Sequence, residues 1–179
     1  MTGHLGLPKT RSIHRCIVLR SCETENLKDI AAADGRRVAI EELLAPSDFV
    51  VPFQGEVYVG LIWACDDSFD ESRRKEVVAK LIQSGCRYVV CGGMRCEAWH
   101  DAADLAWAIL DVESPLQETP AVMTTWHTDE SEEDVIHFAF NLTNFNEHAF
   151  EKYFVILIGH DPSRRSRIEK LIEAVLAPA

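Results

Sequence analysis

The sequence predicts an α/β fold: a three-layer open sheet of at least four mostly parallel strands, with helices on both faces. Three observations predict it. Four near-continuous apolar runs rich in Val, Ile and aromatics are spaced along the chain, as strands covered on both faces require. Amphipathic helical patterns lie between them. The strand cores begin near Val57, Tyr88, Val122 and Phe154, at intervals of 31, 34 and 32 residues, the length of a strand, a helix and their turns.

The strands are "VYVGLIWAC" from Val57, "RYVVC" from Arg87, "VMTTW" from Val122 and "YFVILIG" from Tyr153. After the first, "DESRRKEVVAKLIQSG" places Val77, Val78, Leu81 and Ile82 on one stripe, opens with acids and offers Gly85 as a cap. After the second, "CEAWHDAADLAWAIL" aligns Trp99, Ala102, Ala103, Ala106 and Leu110. After the third, "SEEDVIHFAFNLTN" aligns Val135, Phe138, Ala139 and Leu142. After the fourth, Ile168, Leu171, Ile172, Val175 and Leu176 fall at i, i+3, i+4, i+7 and i+8. Right-handed crossovers then favour a Rossmann-like, doubly wound sheet.

The first part of the chain is less regular. "RRVAIEELL" reads as a short helix ended by Pro46. "DFVVPF" reads as an edge strand, because Pro52 cannot donate a ladder bond. Residues 1–35 read as a poorly ordered or extended segment with an apolar island at Cys16–Leu19, and residues 36–179 as a single α/β domain.

The length of 179 residues suits one domain with a real core. The net charge of −11, from 18 basic and 29 acidic residues, disfavours nucleic acid and anionic lipid as partners. A basic cluster at Arg164, Arg165 and Arg167 reads as a solvated helix face. No run approaches the ~20 apolar residues of a membrane helix, and "CIVL" is too short for a secretory signal. A cytoplasmic location is expected. There are six cysteines, and because Cys65, Cys86 and Cys91 sit in or beside apolar runs, they read as reduced thiols.

In such a sheet, ligands meet the carboxyl ends of the strands. The residues there are Asp66 and Asp67, Gly92 and Gly93, His127 and Asp129, and His160 and Asp161. These eight are the candidate ligand-binding residues. Capping accounts for most of the aspartates: Asp161 precedes Pro162, Thr128 or Asp129 can cap the helix at "SEEDV", and Asp67, Ser68 or Asp70 the one at "ESRRK". It does not account for His127 and His160, which could bind a ligand, hold a metal or transfer protons.

Familiar catalytic signatures are missing. There is no G-x-G-x-x-G, no phosphate-binding G-x-x-x-x-G-K-[ST] loop and no G-x-S-x-G elbow. Cys91 and Arg95 have three residues between them, where a cysteine phosphatase needs five. Cys96, His100 and Asp104 share a helix stripe, but no second ligand pair accompanies them. The Asp66-Asp67 pair is similar to the start of a response-regulator receiver, but no lysine follows the last strand.

The combination "YVVCGG", "CEAWHDA", "MTTWHTDE" and "LTNF" resembles a small bacterial family of unknown function, over roughly residues 36–176. That resemblance implies no activity, cofactor or catalytic residue. The leading expectation is a binding or interaction domain that uses the carboxyl edge of its sheet, with a small molecule or a protein as partner. One alternative is a metal-dependent hydrolase of a nucleotide or phosphoester, built from Asp66, Asp67, His127, Asp129, His160 and Asp161. The other is a regulatory or self-assembling subunit, in which one of Trp63, Trp99, Trp107 and Trp126 anchors an interface.

Overall fold

A computed structural model describes residues 27–32, 34–46, 49–113, 121–144 and 149–177. The elements are β1 (Lys28–Ala31), β2 (Arg37–Leu43), β3 (Tyr58–Ala64), α1 (Glu71–Ser84), β4 (Cys86–Gly93), α2 (Cys96–Glu113), β5 (Met123–His127), α3 (Glu132–Asn141), β6 (Lys152–Ile158) and α4 (Pro162–Leu176). They form a six-stranded sheet in the order β1-β2-β6-β3-β4-β5. Among the described residues, only the β1–β2 pair is antiparallel.

The continuous apolar runs have the cause expected of them. In β6, Phe154, Ile156 and Ile158 face the core shared with α1 and α2, while Tyr153, Val155 and Leu157 face the core shared with α3 and α4. Each large side chain buried this way contributes roughly 1.5–3 kcal/mol. The chain steps from β3 through β4 to β5 with α1 and α2 on one face. It then returns to β6 with α3 on the other. A right-handed crossover that reverses its direction must use the opposite face. The reversal places β6 beside β3, with α1 and α4 leaving their adjacent ends on opposite faces.

The four predicted strands and four predicted helices are present. Two details of the helices differ. Leu142 is exposed and follows α3, and Phe138 is only half-buried, while Ile136 and Phe140 take the buried stripe. Gly85 closes α1 as expected, with φ of 121° and its N–H on the carbonyls of Ile82 and Leu81.

The N-terminal part departs from the sequence reading. "RRVAIEELL" is not a helix. Its core is β2, because Val38 and Ile40 pack under α4 while Ala39 and Leu43 pack on the opposite face. A slot beside β6 outweighs local helix propensity. "DFVVPF" is not a strand over Phe49–Phe53. Phe49 stacks on Phe154 at 5.7 Å and Phe53 tilts against Tyr58 at 5.8 Å, so the turn covers the sheet on the α1/α2 face. The antiparallel edge is β1, within the segment read as extended. Residues 1–26, with the Cys16–Leu19 island, lie outside the described residues.

Candidate functional site

The reversal of strand order sets the geometry of the carboxyl edge, because a crevice opens where neighbouring strands send their helices to opposite faces. Those strands are β3 and β6. Cys65 N–H donates to the Ile158 carbonyl at 2.9 Å, and Gly159 N–H donates to the Leu43 carbonyl at 3.1 Å, so three strand ends are tied together.

Around the end of β6 the side chains converge. His160 Nδ1 is 2.9 Å from Glu42 Oε1, which also accepts the N–H of Asp161 at 3.2 Å. Asp161 caps α4 by accepting the N–H of Arg164 at 3.0 Å and the hydroxyl of Ser163 at 2.7 Å. The Ser163 hydrogen bond, then the Arg164 N–H, holds its carboxyl below the ordinary range. Asp66 accepts the N–H of Ser68 at 3.0 Å. Its carboxyl lies against Gly159, whose φ of 87° suits glycine. Burial pushes the Cys65 thiol up to about 11; nearby Arg164 opposes the shift, while Asp161, Asp66 and Glu42 add to it.

Asp67 points away from this group. Its Oδ1 is 3.7 Å from Arg74 Nη1 and 3.9 Å from Arg95 Nε, across the gap between β3 and β4. The cap of α1 is Asp70 rather than Asp67 or Ser68. The glycine pair serves packing. A Cβ on Gly92 would stand 2.7 Å from the Trp63 ring, and Gly93 turns with φ of 78°.

His127 and Asp129 are elsewhere. His127 ends β5, only 7% exposed, with its ring 4.5 Å from Phe138 and Nδ1 2.9 Å from Glu130. Asp129 sits in the following turn at φ of 59°, and Ser131, not Thr128 or Asp129, caps α3. Strands β4 and β3 separate β5 from β6. Three spacings of ~4.8 Å put the two histidines' strands about 14 Å apart. The structure therefore brings Asp66, His160 and Asp161 together and does not bring His127 or Asp129 to them.

Residues 41–175, 135 of the 179, match the sequence profile of a domain of unknown function, DUF7684. The chain belongs to that family. No curated protein matches it. The DUF7684 match begins inside β2 and ends in the last turn of α4, so it takes in the whole parallel sheet except the start of β2 and leaves out β1.

Two further groups complete the edge of this DUF7684 domain. Arg164 and Arg167 both reach Glu132, and Arg165 reaches Glu169 and Glu42, so the basic cluster knits α4 to α3 and β2. Among the described residues, no three His, Cys, Asp or Glu side chains are arranged to hold a metal ion. Cys96 Sγ lies 3.5 Å from Thr128 Oγ1, and His100 Nε2 lies 3.6 Å from Asp104.

Sequence reasoning missed one participant and left a second, Trp126, undistinguished among four tryptophans. Glu42 was hidden because its segment reads as a helix; in a strand it alternates away from the buried Glu41 and reaches the edge beside His160. The second is the environment of Trp126. It is 48% exposed on β5, with the His100 ring 4.4 Å from its own, whereas Trp63 and Trp99 are buried.

Proposed function

We propose that the protein is a non-catalytic interaction domain, and that its partner meets the corner where the carboxyl edge of the sheet runs into β5. The observation that carries this reading is Trp126. A tryptophan half open to water, on an outer strand, is the kind of anchor that interfaces use. Met94, just past the end of β4, is exposed near the same edge, and Met123 is exposed on the other face of β5. His127 and Asp129 border this corner. Asp66, His160 and Asp161 continue along the edge, and Asp67 lies between them and this corner, facing Arg74 and Arg95.

The hydrolase alternative needs its histidines and carboxylates in one cleft. The separation of β5 from β6 works against that. So does the use of Asp161 as a cap and of Asp66 in a turn.

The test is site-specific photo-crosslinking in cells. A photoreactive residue is placed at position 126, and another at Val57, equally exposed at the amino end of β3. The reading expects a discrete protein adduct from position 126 and none from position 57. Indistinguishable patterns at the two positions would overturn it.

A further inference from the structure

Strand β5 is an outer strand without the usual guards. Edge strands are commonly protected by charge or proline. The opposite edge, β1, carries Lys28 and Asp29. Strand β5 reads Met-Thr-Thr-Trp-His, with neither a formally charged residue nor a proline, and among the described residues its only strand partner is β4.

The chain on both sides of β5 is acidic. From Cys96 to Glu151 the sequence holds 13 Asp and Glu and no Lys or Arg, and this stretch contains α2, β5 and α3. Asp104 accepts a hydrogen bond from Thr124 near one end of the strand, and Asp129 and Glu130 follow the other end.

One segment of the same chain has the opposite character. Residues 1–22 contain Lys9, Arg11, Arg15 and Arg20 and no acid, although the whole chain has 29 acids. Within them, "RCIVLR" sets four apolar residues between Arg15 and Arg20. Extended, the two arginines would stand ~17 Å apart at ~3.3 Å per residue, which is the length of a five-residue strand such as β5.

We propose that residues 15–20 of one molecule add as a strand to the outer edge of β5 in a second molecule. The arginines would meet the acids at the two ends of β5, and the alternating apolar side chains would cover Trp126 on one face and Met123 on the other. This deepens the interaction-domain reading and rests on it.

Distance decides between the same molecule and another. A strand added outside β5 lies six spacings from β1, ~29 Å at ~4.8 Å each, before any detour around the loops at the carboxyl edge. Eight residues link Arg20 to Lys28, and fully stretched they span at most ~29 Å. The chain cannot reach its own β5 edge and pass over the loops as well. Pairing between copies is heterologous, so it either closes into a ring of copies or propagates head to tail.

The experiment is sedimentation of the full-length protein over a concentration series, with two variants. Arg15→Glu/Arg20→Glu removes the donor, and Trp126→Lys removes the acceptor while leaving an exposed position exposed. The wild type should self-associate at low salt and dissociate as salt rises. Each variant alone should weaken association about tenfold or more. Mixed one to one, they should form a two-chain complex, because the first keeps an intact edge and the second an intact donor segment. A wild type that stays monomeric at its highest soluble concentration in low salt would overturn the proposal. So would a donor variant that associates like the wild type; if Trp126→Lys still dissociates that assembly, only the donor is wrong and the interaction surface stands. Unchanged association in both variants would remove the surface as well.

Discussion

The carboxyl group of Asp66 fills the space that a side chain on Gly159 would need: a Cβ placed there falls 2.5 Å from Asp66 Cγ. Gly159 also has φ of 87°. Gly159→Ala therefore carries two costs, the left-handed backbone, roughly 1–2 kcal/mol, and the collision. Asp66→Gly removes only the collision. Urea unfolding of the two single variants and the double variant should show Gly159→Ala costing less in the Asp66→Gly background. Equal costs in both backgrounds would mean that Asp66 moves aside freely and does not set the shape of this edge.

The parallel sheet and its helices were legible because each rests on a local pattern. The run from Tyr153 to Ile158 is buried on both faces and reads so. Strand β2 was not legible. Its partner, β6, lies 115 residues away, from Arg37 to Lys152, and nothing within "RRVAIEELL" reports that slot. Glu42 was lost with it. At the edge, Asp161 caps α4 as read and Asp70 is the one of three candidates that caps α1, but Ser131 rather than Thr128 or Asp129 caps α3, because several residues nearby satisfy the same rule. His127 and His160 looked like a pair because each follows a strand. Their separation depends on strand order, which sequence periodicity does not encode.

The tryptophans should divide by burial. Trp99 is buried against Phe69, with ring centroids 5.9 Å apart, while Trp126 is half-exposed. Trp99→Ala should cost about 3–5 kcal/mol, as large aromatic deletions in cores do. Trp126→Ala should change stability by about 0.5 kcal/mol or little more. Denaturant midpoints at low protein concentration, where association contributes nothing, check both. A large loss at Trp126 would make it a structural residue and weaken its role as an anchor.

Acid should destabilise the protein through specific carboxylates. The Asp34 carboxyl is lowered first by the N–H of Arg36, Glu71 by its hydrogen bond to Lys75, and Asp161 by the Ser163 hydroxyl. For each, the unfolded chain holds its proton more tightly than the folded chain does. Their stabilisation is complete above the unfolded values, near about 4, and is lost as pH falls through the lower folded values. Urea midpoints should be flat between about pH 5 and 7 and fall below about pH 4. Asp161→Asn keeps an oxygen to cap α4 but does not titrate, so its midpoint should fall less steeply. A wild type that gains stability on acidification would contradict the assignment.

Thiol reactivity gives a last check on the described core, because it reads burial and ionisation together. Cys86 and Cys91 are fully buried and Cys65 is half-buried. Burial pushes Cys86 up to about 12, Cys91 well above the ordinary range and Cys65 to about 11. The thiolate is the nucleophile, so at neutral pH all three should resist alkylation in the folded protein. Among the described cysteines, Cys65 alone combines partial exposure with a raised pKa, and its rate should keep climbing past pH 9, where an ordinary thiol levels off. Iodoacetamide labelling of a Cys16→Ser/Cys22→Ser variant, followed by peptide mass spectrometry, separates the sites. Rapid labelling of Cys91 at neutral pH would mean that the β4–α2 junction opens in solution. A Cys65 rate that levels off near pH 8 would show that Arg164 outweighs the neighbouring carboxylates and the burial, reversing the electrostatic order at the end of β3.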